Sequence, residues 1–456
     1  MTQHSQQHSQ DNHKTAQQLA DKIFARVQQA GAEADLIINE GSSLSLKAQG
    51  GQLDEQVVAS TFIVGLRVVL GDQVGAASSE ASDPDALNFM VDQALANARH
   101  SAARPSERIS SQSGALTADG ADLDPDDDAT VDEKIDFIID LERQLSARPQ
   151  IRNVPYNALV DARQRQQILT TSGRHADQRS RQVVAYVYPL AEQGERTAMA
   201  SSVAYSRLFR DLDGTRLSDR AYADTLALLA GEALKSGRYD VIFSANVQPQ
   251  LFGAFSLMWS AKAAQDKVNP LRDKLGTQIM DARLNLVDEP LNRTGLGYRL
   301  FDDEATATAA VTLVKQGELM TLAHNSATAA HFGVANTGHA ARGAKSPLTV
   351  GLHQLQLRAG PDTQATLKQG EYLEITQLDG LHSGTNAISG EFSCGASGYL
   401  CHNAERRRAV RGVTVAGNLY QMLQQVVAVG DQSHWNDSRH SCMASVRFAD
   451  LAIAGS

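Results

Sequence analysis

The sequence predicts an α+β protein: an N-terminal α/β region that combines helices with an antiparallel sheet, followed by a β-rich C-terminal domain. Three observations carry this. Helical and strand periodicities interleave through the first half of the chain. Beyond residue 236 the texture changes to short β-like runs separated by glycine-rich turns. The chain has 456 residues, 42% of them hydrophobic, enough for two or three domains that each bury a core.

The elements follow in order. Residues 1–14 form a Gln/His/Ser tail too polar to order itself. Leu19, Ile23, Phe24 and Val27 then recur at helical spacing before Gly31. Strands are expected over 34–39, 43–48 and 57–69, with turns at Gly41 and Gly50-Gly51; Gly71-Asp72 leads into a return strand over 74–77. Asp83-Pro84 opens a second helix carrying Leu87, Met90, Val91, Ala94 and Leu95 on one face. Residues 101–130 read as a polar connection, and a helix over 131–146 follows. Alternation at 157–161, 167–171 and 183–188 continues the sheet; a helix over 219–236 closes this half, with Gly237 as its C-cap. In the second half, strands are expected over 240–243, 372–378, 398–402, 410–415 and 446–454, and helices over 248–260 and 418–427. The resulting organisation is a disordered tail (1–14), an N-terminal α/β domain (15–105), a central α/β region (106–236) and a C-terminal β-rich domain (237–456).

Charge and cysteine content narrow the function classes. Lys and Arg number 42 against 52 Asp and Glu, a net charge of −10, which argues against direct nucleic-acid contact. Three cysteines supply no disulfide framework and suit a reducing compartment. The first residues lack an apolar signal-peptide region, and no stretch reaches the roughly 18 apolar residues of a membrane span. A cytoplasmic protein with no membrane partner is expected.

The motifs exclude more than they assign. The acidic run from Asp122 to Glu133 spaces its acids like a calcium loop, but Asp127 stands where the loop needs glycine and Pro125 lies inside. A helix start with acids against its macrodipole explains it better. None of the 13 histidines is followed by Glu, so no H-E-x-x-H or H-E-x-x-x-H zinc helix exists. His324, His331 and His339 read as ordinary hydrogen-bonded or surface residues. No C-x-x-C, G-x-S-x-G or P-loop occurs; Cys394 and His382 leave a cysteine–histidine pair open. Arg406-Arg-Arg408 with Arg411 reads as a solvated hairpin face. The segment 382–398 places four glycines between strands. His382, Asn386, Gly390, Glu391, Ser393 and Gly395 are its candidate substrate-binding residues, either holding an extended peptide through exposed backbone or forming tight turns.

These blocks together resemble one family. Val64-Gly-Leu-Arg-Val-Val-Leu-Gly, Phe301-Asp-Asp-Glu304, Asn325-Ser-Ala-Thr-Ala-Ala-His-Phe-Gly333, Thr337-Gly-His-Ala340, Gly384-Thr-Asn-Ala-Ile-Ser-Gly-Glu-Phe-Ser393 and Val415-Ala-Gly-Asn-Leu419 occur in order. The chain thereby resembles the TldD/PmbA family, specifically its PmbA (TldE) branch, except that Ala305 replaces a glycine expected after the acidic triplet. The resemblance implies a dimeric cytoplasmic protein acting in peptide proteolysis or maturation. In that family the TldD branch carries the zinc helix and pairs with the other branch. It implies that this chain holds no cofactor of its own and no catalytic residue, and that zinc resides in a TldD-like partner. A homodimeric modulator acting indirectly on gyrase is the alternative.

Overall fold

The computed structural model describes the backbone of residues 3–117 and 122–455, and the side chains within that range from Ala16 onward. Two large sheets organise it. The first has eight strands, ordered Gln73–Ser79, Gln52–Leu70, Glu33–Gln49, Ile151–Thr170, Arg174–Gln193 and Gly114–Thr117, with Arg196–Met199 and Ser202–Ser206 also paired to Arg174–Gln193. It runs without interruption across residue 105, because Glu33–Gln49 pairs directly with Ile151–Thr170. Only Gly114–Thr117 pairs parallel, and it lies inside the segment expected to be a plain connection.

Helices Gln3–Gln29 and Pro84–His100 cover part of this sheet. Ile23, Val27, Leu36, Ile38, Leu66, Val68, Met90 and Ala94 form the shared core; each large aliphatic side chain buried there contributes about 1.5–3 kcal/mol. The first helix starts before the expected residue 15; the side chains of the tail, with its histidines, lie outside the described residues. Asp83 caps the second helix through Ala86 N. Gly75 lets that helix lie directly on the sheet, since a Cβ there would sit 2.1 Å from Ala94 O. Helices Val131–Ser146 and Gly214–Ala230 pack Leu141, Leu145 and Leu217 against Val154, Ala185 and Val187.

Several boundaries differ from expectation. Gly41 is not a turn but an interior strand residue opposite Thr61. Its missing side chain accommodates Thr61 Oγ1, 2.6 Å from where a Cβ would stand, so the two short strands are one. The helix expected over 219–236 is shifted to Gly214–Ala230, and Gly237 begins a strand. Residues 231–236 leave the helix because Glu232 exchanges backbone bonds with Ala409 and Arg411. The helix expected over 418–427 shrinks to Leu419–Met422, and the valine-rich stretch after it becomes strand Val426–Trp435.

The second sheet has ten strands. Gly237–Phe243, Glu371–Asp379, Glu391–His402, Glu405–Asn418 and Cys442–Ala454 close on themselves, because the last strand also pairs with the first. Phe243, Phe252, Phe255, Trp259, Phe392, Val413 and Phe448 belong to its core. Leu355–Leu357, Leu286–Asp288 and Val311–Lys315 extend it to one side. Among the described residues, no helix is long and apolar enough to cross a membrane.

Candidate functional site

The two sheets meet first through a buried ionic network. Asp35 and Arg67 stand side by side on the first sheet, and Arg67 Nε donates to Asp35 at 2.9 Å. Arg67 also reaches Glu304 Oε1 at 3.0 Å, and Arg342 pairs with the other oxygen of Asp35. The acidic triplet is therefore a junction. Asp302 accepts from the backbone N–H of Glu304, Thr306 and Ala340, Asp303 from Arg342 N and Arg299, and Glu304 from Ser326 N and Oγ. Burial, and then the Glu304 charge, push the Asp302 carboxyl up to about 7. Ala305 sits at φ +58°, the left-handed region that favours the glycine it replaces.

Behind the triplet lies a second polar cluster that periodicity could not reveal. His339 is fully buried; its Nε2 lies 2.9 Å from Asp288 Oδ2 and its Nδ1 2.9 Å from Thr337 Oγ1. His353 stacks on it with ring centroids 5.0 Å apart and bonds Gly338 O through Nε2. Burial pushes the His353 ring down to about 4, so it is neutral near pH 7. Asp288, His339 and His353 are the one group among the described residues that brings three potential ligand atoms together. Those atoms are already bonded to each other and to the backbone, since Asp288 also accepts the N–H of His353 and Gln354.

A cleft of about 950 Å³ opens between the sheets. Helix Gly214–Ala230 presents Arg220 and Asp224 to it, and the second sheet presents Asn246, Tyr399, Arg406 and Asp437. Arg220 pairs with Asp437 at 2.7 Å, and Asn246 exchanges two 2.7 Å bonds with the same aspartate. Arg406 grips Glu374 through two bonds of 2.8 and 2.9 Å and lies 4.1 Å over the Tyr399 ring. Arg406 is still exposed on its hairpin, as are Arg407, which pairs with Glu405, and Arg408. Burial raises the Asp224 carboxyl and the Tyr399 hydroxyl above their usual values. Zinc needs imidazole, thiolate or carboxylate ligands clear of competing cations. The cleft lining contains no histidine or cysteine, Asp224 and Asp437 pair with Arg220, and Asp379 accepts from Gln377, so these residues do not fit the ion. What they offer is a fixed array of donors and acceptors.

The acidic run at 122–133 is pinned as a helix approach: Asp127 pairs with Arg181 and Thr130 and Glu133 form a capping box. None of the six residues singled out at 382–395 is part of the cleft lining. His382, Asn386, Glu391 and Ser393 are exposed, Gly390 is buried and Gly395 is partly buried. Asn386 Oδ1 closes a turn by accepting from Ile388 and Ser389 N–H. Gly395 pairs with Asp379 on one side and Thr414 on the other, so from there to His402 the strand is interior to the sheet and its backbone bonds are taken. Asp379, Ser397 and Gly398 carry the segment to the cleft edge. Cys394 is buried and its thiol is raised by that burial, the opposite of an activated thiolate. Arg220, Asn246 and Asp437 were not foreseen from sequence; the i,i+4 Arg220/Asp224 pair on a helix was the one local signal.

Fold and site define an α+β protein of two joined sheets whose principal surface feature is a polar cleft between them. The chain belongs to the PmbA/TldD metallopeptidase family: residues 34–98 match the PmbA/TldA metallopeptidase domain 1, 124–229 its central domain and 236–455 its C-terminal domain. It is similar to the metalloprotease PmbA of Escherichia coli O157:H7, with 28% identity over 92% of both chains. A PmbA homolog of Haemophilus influenzae is 24% identical over 88% of both. Among solved structures, a Thermotoga maritima protein described as a candidate modulator of DNA gyrase matches with a TM-score of 0.83 at 25% identity, covering 96% of this chain and all of that one. TldE of Thermococcus kodakarensis shares the fold at a TM-score of 0.83 and 16% identity, with coverage of 96% and 100%.

Proposed function

We propose that this chain is the PmbA/TldE-like subunit of a cytoplasmic two-chain metallopeptidase acting in peptide proteolysis or maturation. A TldD-like partner contributes zinc and the activated water. This chain contributes a polar wall that holds an extended peptide. The observation that carries the reading is the composition of the cleft: paired arginines, aspartates and amides without a zinc-ligand set. In this reading His382, Asn386, Gly390, Glu391, Ser393 and Gly395 extend the peptide path outward from the cleft edge at Asp379, Ser397 and Gly398. The test is co-expression with a TldD-like chain, followed by metal analysis and a peptide-cleavage assay of the complex. One zinc per heterodimer and cleavage only by the complex is the expected result. Stoichiometric zinc with peptide cleavage by this chain alone would overturn it.

A second reading, a homodimeric modulator without a proteolytic partner, is favoured by the similarity to the Thermotoga protein. The net charge of −10 makes any action on gyrase indirect. Affinity purification that recovers only this chain, with gyrase activity altered in its presence, would select this reading.

A further inference from the structure

A separate cavity of about 630 Å³ lies over the first sheet, roofed by the loop that contains Gly295 to Phe301. Its floor is one sheet face: Asn39 shares a cross-strand row with Gln166, Gly41 with Gln164 and Ser180, and Ala162 with Gln182. Gln166 and Gln178 are engaged, the first accepting from Arg299 and the second bonded to Leu300 N and Tyr298 O. The amides of Asn39, Gln164 and Gln182 have no protein partner among the described residues. Neither does any carboxylate pair with Arg207, whose guanidinium donates to the carbonyls of Arg293 and Gly295 at the cavity wall. Three guanidiniums, Arg207, Arg293 and Arg439, crowd this loop, and Asp122, the acid they share, is paired to Arg293. Arg207 is half-buried, and burial, with the neighbouring Arg439 and Arg293 adding to it, pushes its guanidinium below its usual value.

A half-buried cation beside three uncommitted amides, in a chain of net charge −10, lacks its anion. We infer that this cavity binds an organic carboxylate, the free C-terminus or an acidic side chain of a peptide, with Arg207 gripping the carboxylate and the sheet-face amides bonding the adjoining peptide groups. A monoanion matches the single unpaired guanidinium in the lining; a phosphate dianion would remain under-neutralised there. The volume falls in the range of sites that enclose small organic ligands. This site is distinct from the cleft and needs no second chain, so its test stands whether or not the subunit reading holds.

The experiment is calorimetric titration of the purified full chain with acetyl-triglycine, with acetyl-triglycine amide and with inorganic phosphate, at low and at moderate salt. The acid is expected to bind at least tenfold more tightly than the amide and than phosphate, and to weaken with salt. Arg207→Gln should reduce its affinity at least tenfold. Because Arg207 also holds the loop, Gln164→Glu provides a second variant that leaves those bonds intact and should repel the acid to a similar degree. Equal affinity for acid and amide, tighter binding of phosphate, no binding of the acid at millimolar concentration, or unchanged affinity in Gln164→Glu would overturn the assignment.

Discussion

Replacing Arg67 by Met should be among the most damaging single changes in the chain. The Arg67 side chain is 4% exposed and those of Asp35 and Glu304 are 1% and 0% exposed, so none can turn to water. With Arg67 present, two guanidiniums, its own and that of Arg342, serve Asp35, Glu304 and, at 3.9 Å, Glu107. Without it, Asp35 keeps Arg342, but Glu304 retains only Ser326 as a hydrogen-bond donor and the more distant charge of Arg342. Breaking a buried pair in this way costs about 3–5 kcal/mol. Met preserves most of the aliphatic stem, so the added cavity term is small. Against a total stability of about 5–15 kcal/mol, that is a large share.

Urea unfolding at pH 7.5, followed by tryptophan fluorescence for the second sheet and by circular dichroism for the whole, measures the loss. A double-mutant cycle with Glu304→Gln should give a coupling of about 1–3 kcal/mol. A loss below about 1 kcal/mol would refute the view that this network ties the first sheet to the C-terminal domain.

Three further outcomes are expected. The His353 ring, held down to about 4 by burial, titrates below its unfolded value of about 6.5. Its contribution to stability is therefore complete above pH 6.5 and is lost as the pH falls toward 4, amounting to at most about 3 kcal/mol. In His353→Gln, which keeps a donor for Gly338 O, the urea midpoint should depend less on pH across that window. Gly75→Val should cost about 3 kcal/mol or more in the same assay, since the helix backbone at Ala94 and Ala98 occupies the space of a side chain. If the proposed two-chain complex forms, Asp437→Asn, which weakens the pairing with Arg220, should raise its KM for peptide by about tenfold, an effect of about 1.4 kcal/mol, without altering its zinc content; an unchanged KM would remove the cleft from the proposed peptide path.

What could be read in the sequence was whatever a few neighbouring residues decide. The Asp83-Pro84 helix start and the Gly50-Gly51 hairpin turn depend on bonds that close within a few residues, and both stand in the structure. Gly41 reads as a turn for the same local reason, yet Thr61 on the neighbouring strand decides otherwise. The helix end at Ala230 is likewise set from outside, by strand residues Ala409 and Arg411 some 180 positions away.

The same division explains why the family could be read and the site could not. Family motifs such as the acidic triplet are contiguous, because one tight turn must aim Asp302, Asp303 and Glu304 at three different partners. Their contiguity makes them visible, but their bonds show them holding the scaffold together. The cleft is assembled from Arg220, Asn246, Arg406 and Asp437, which lie on separate elements and share no spacing. In a scaffold whose sheets are fixed by a buried network, binding groups need only stand at the rim, each on its own element. On the proposed reading, specificity for a peptide can then vary by single substitutions around the cleft while the triplet and its partners stay fixed.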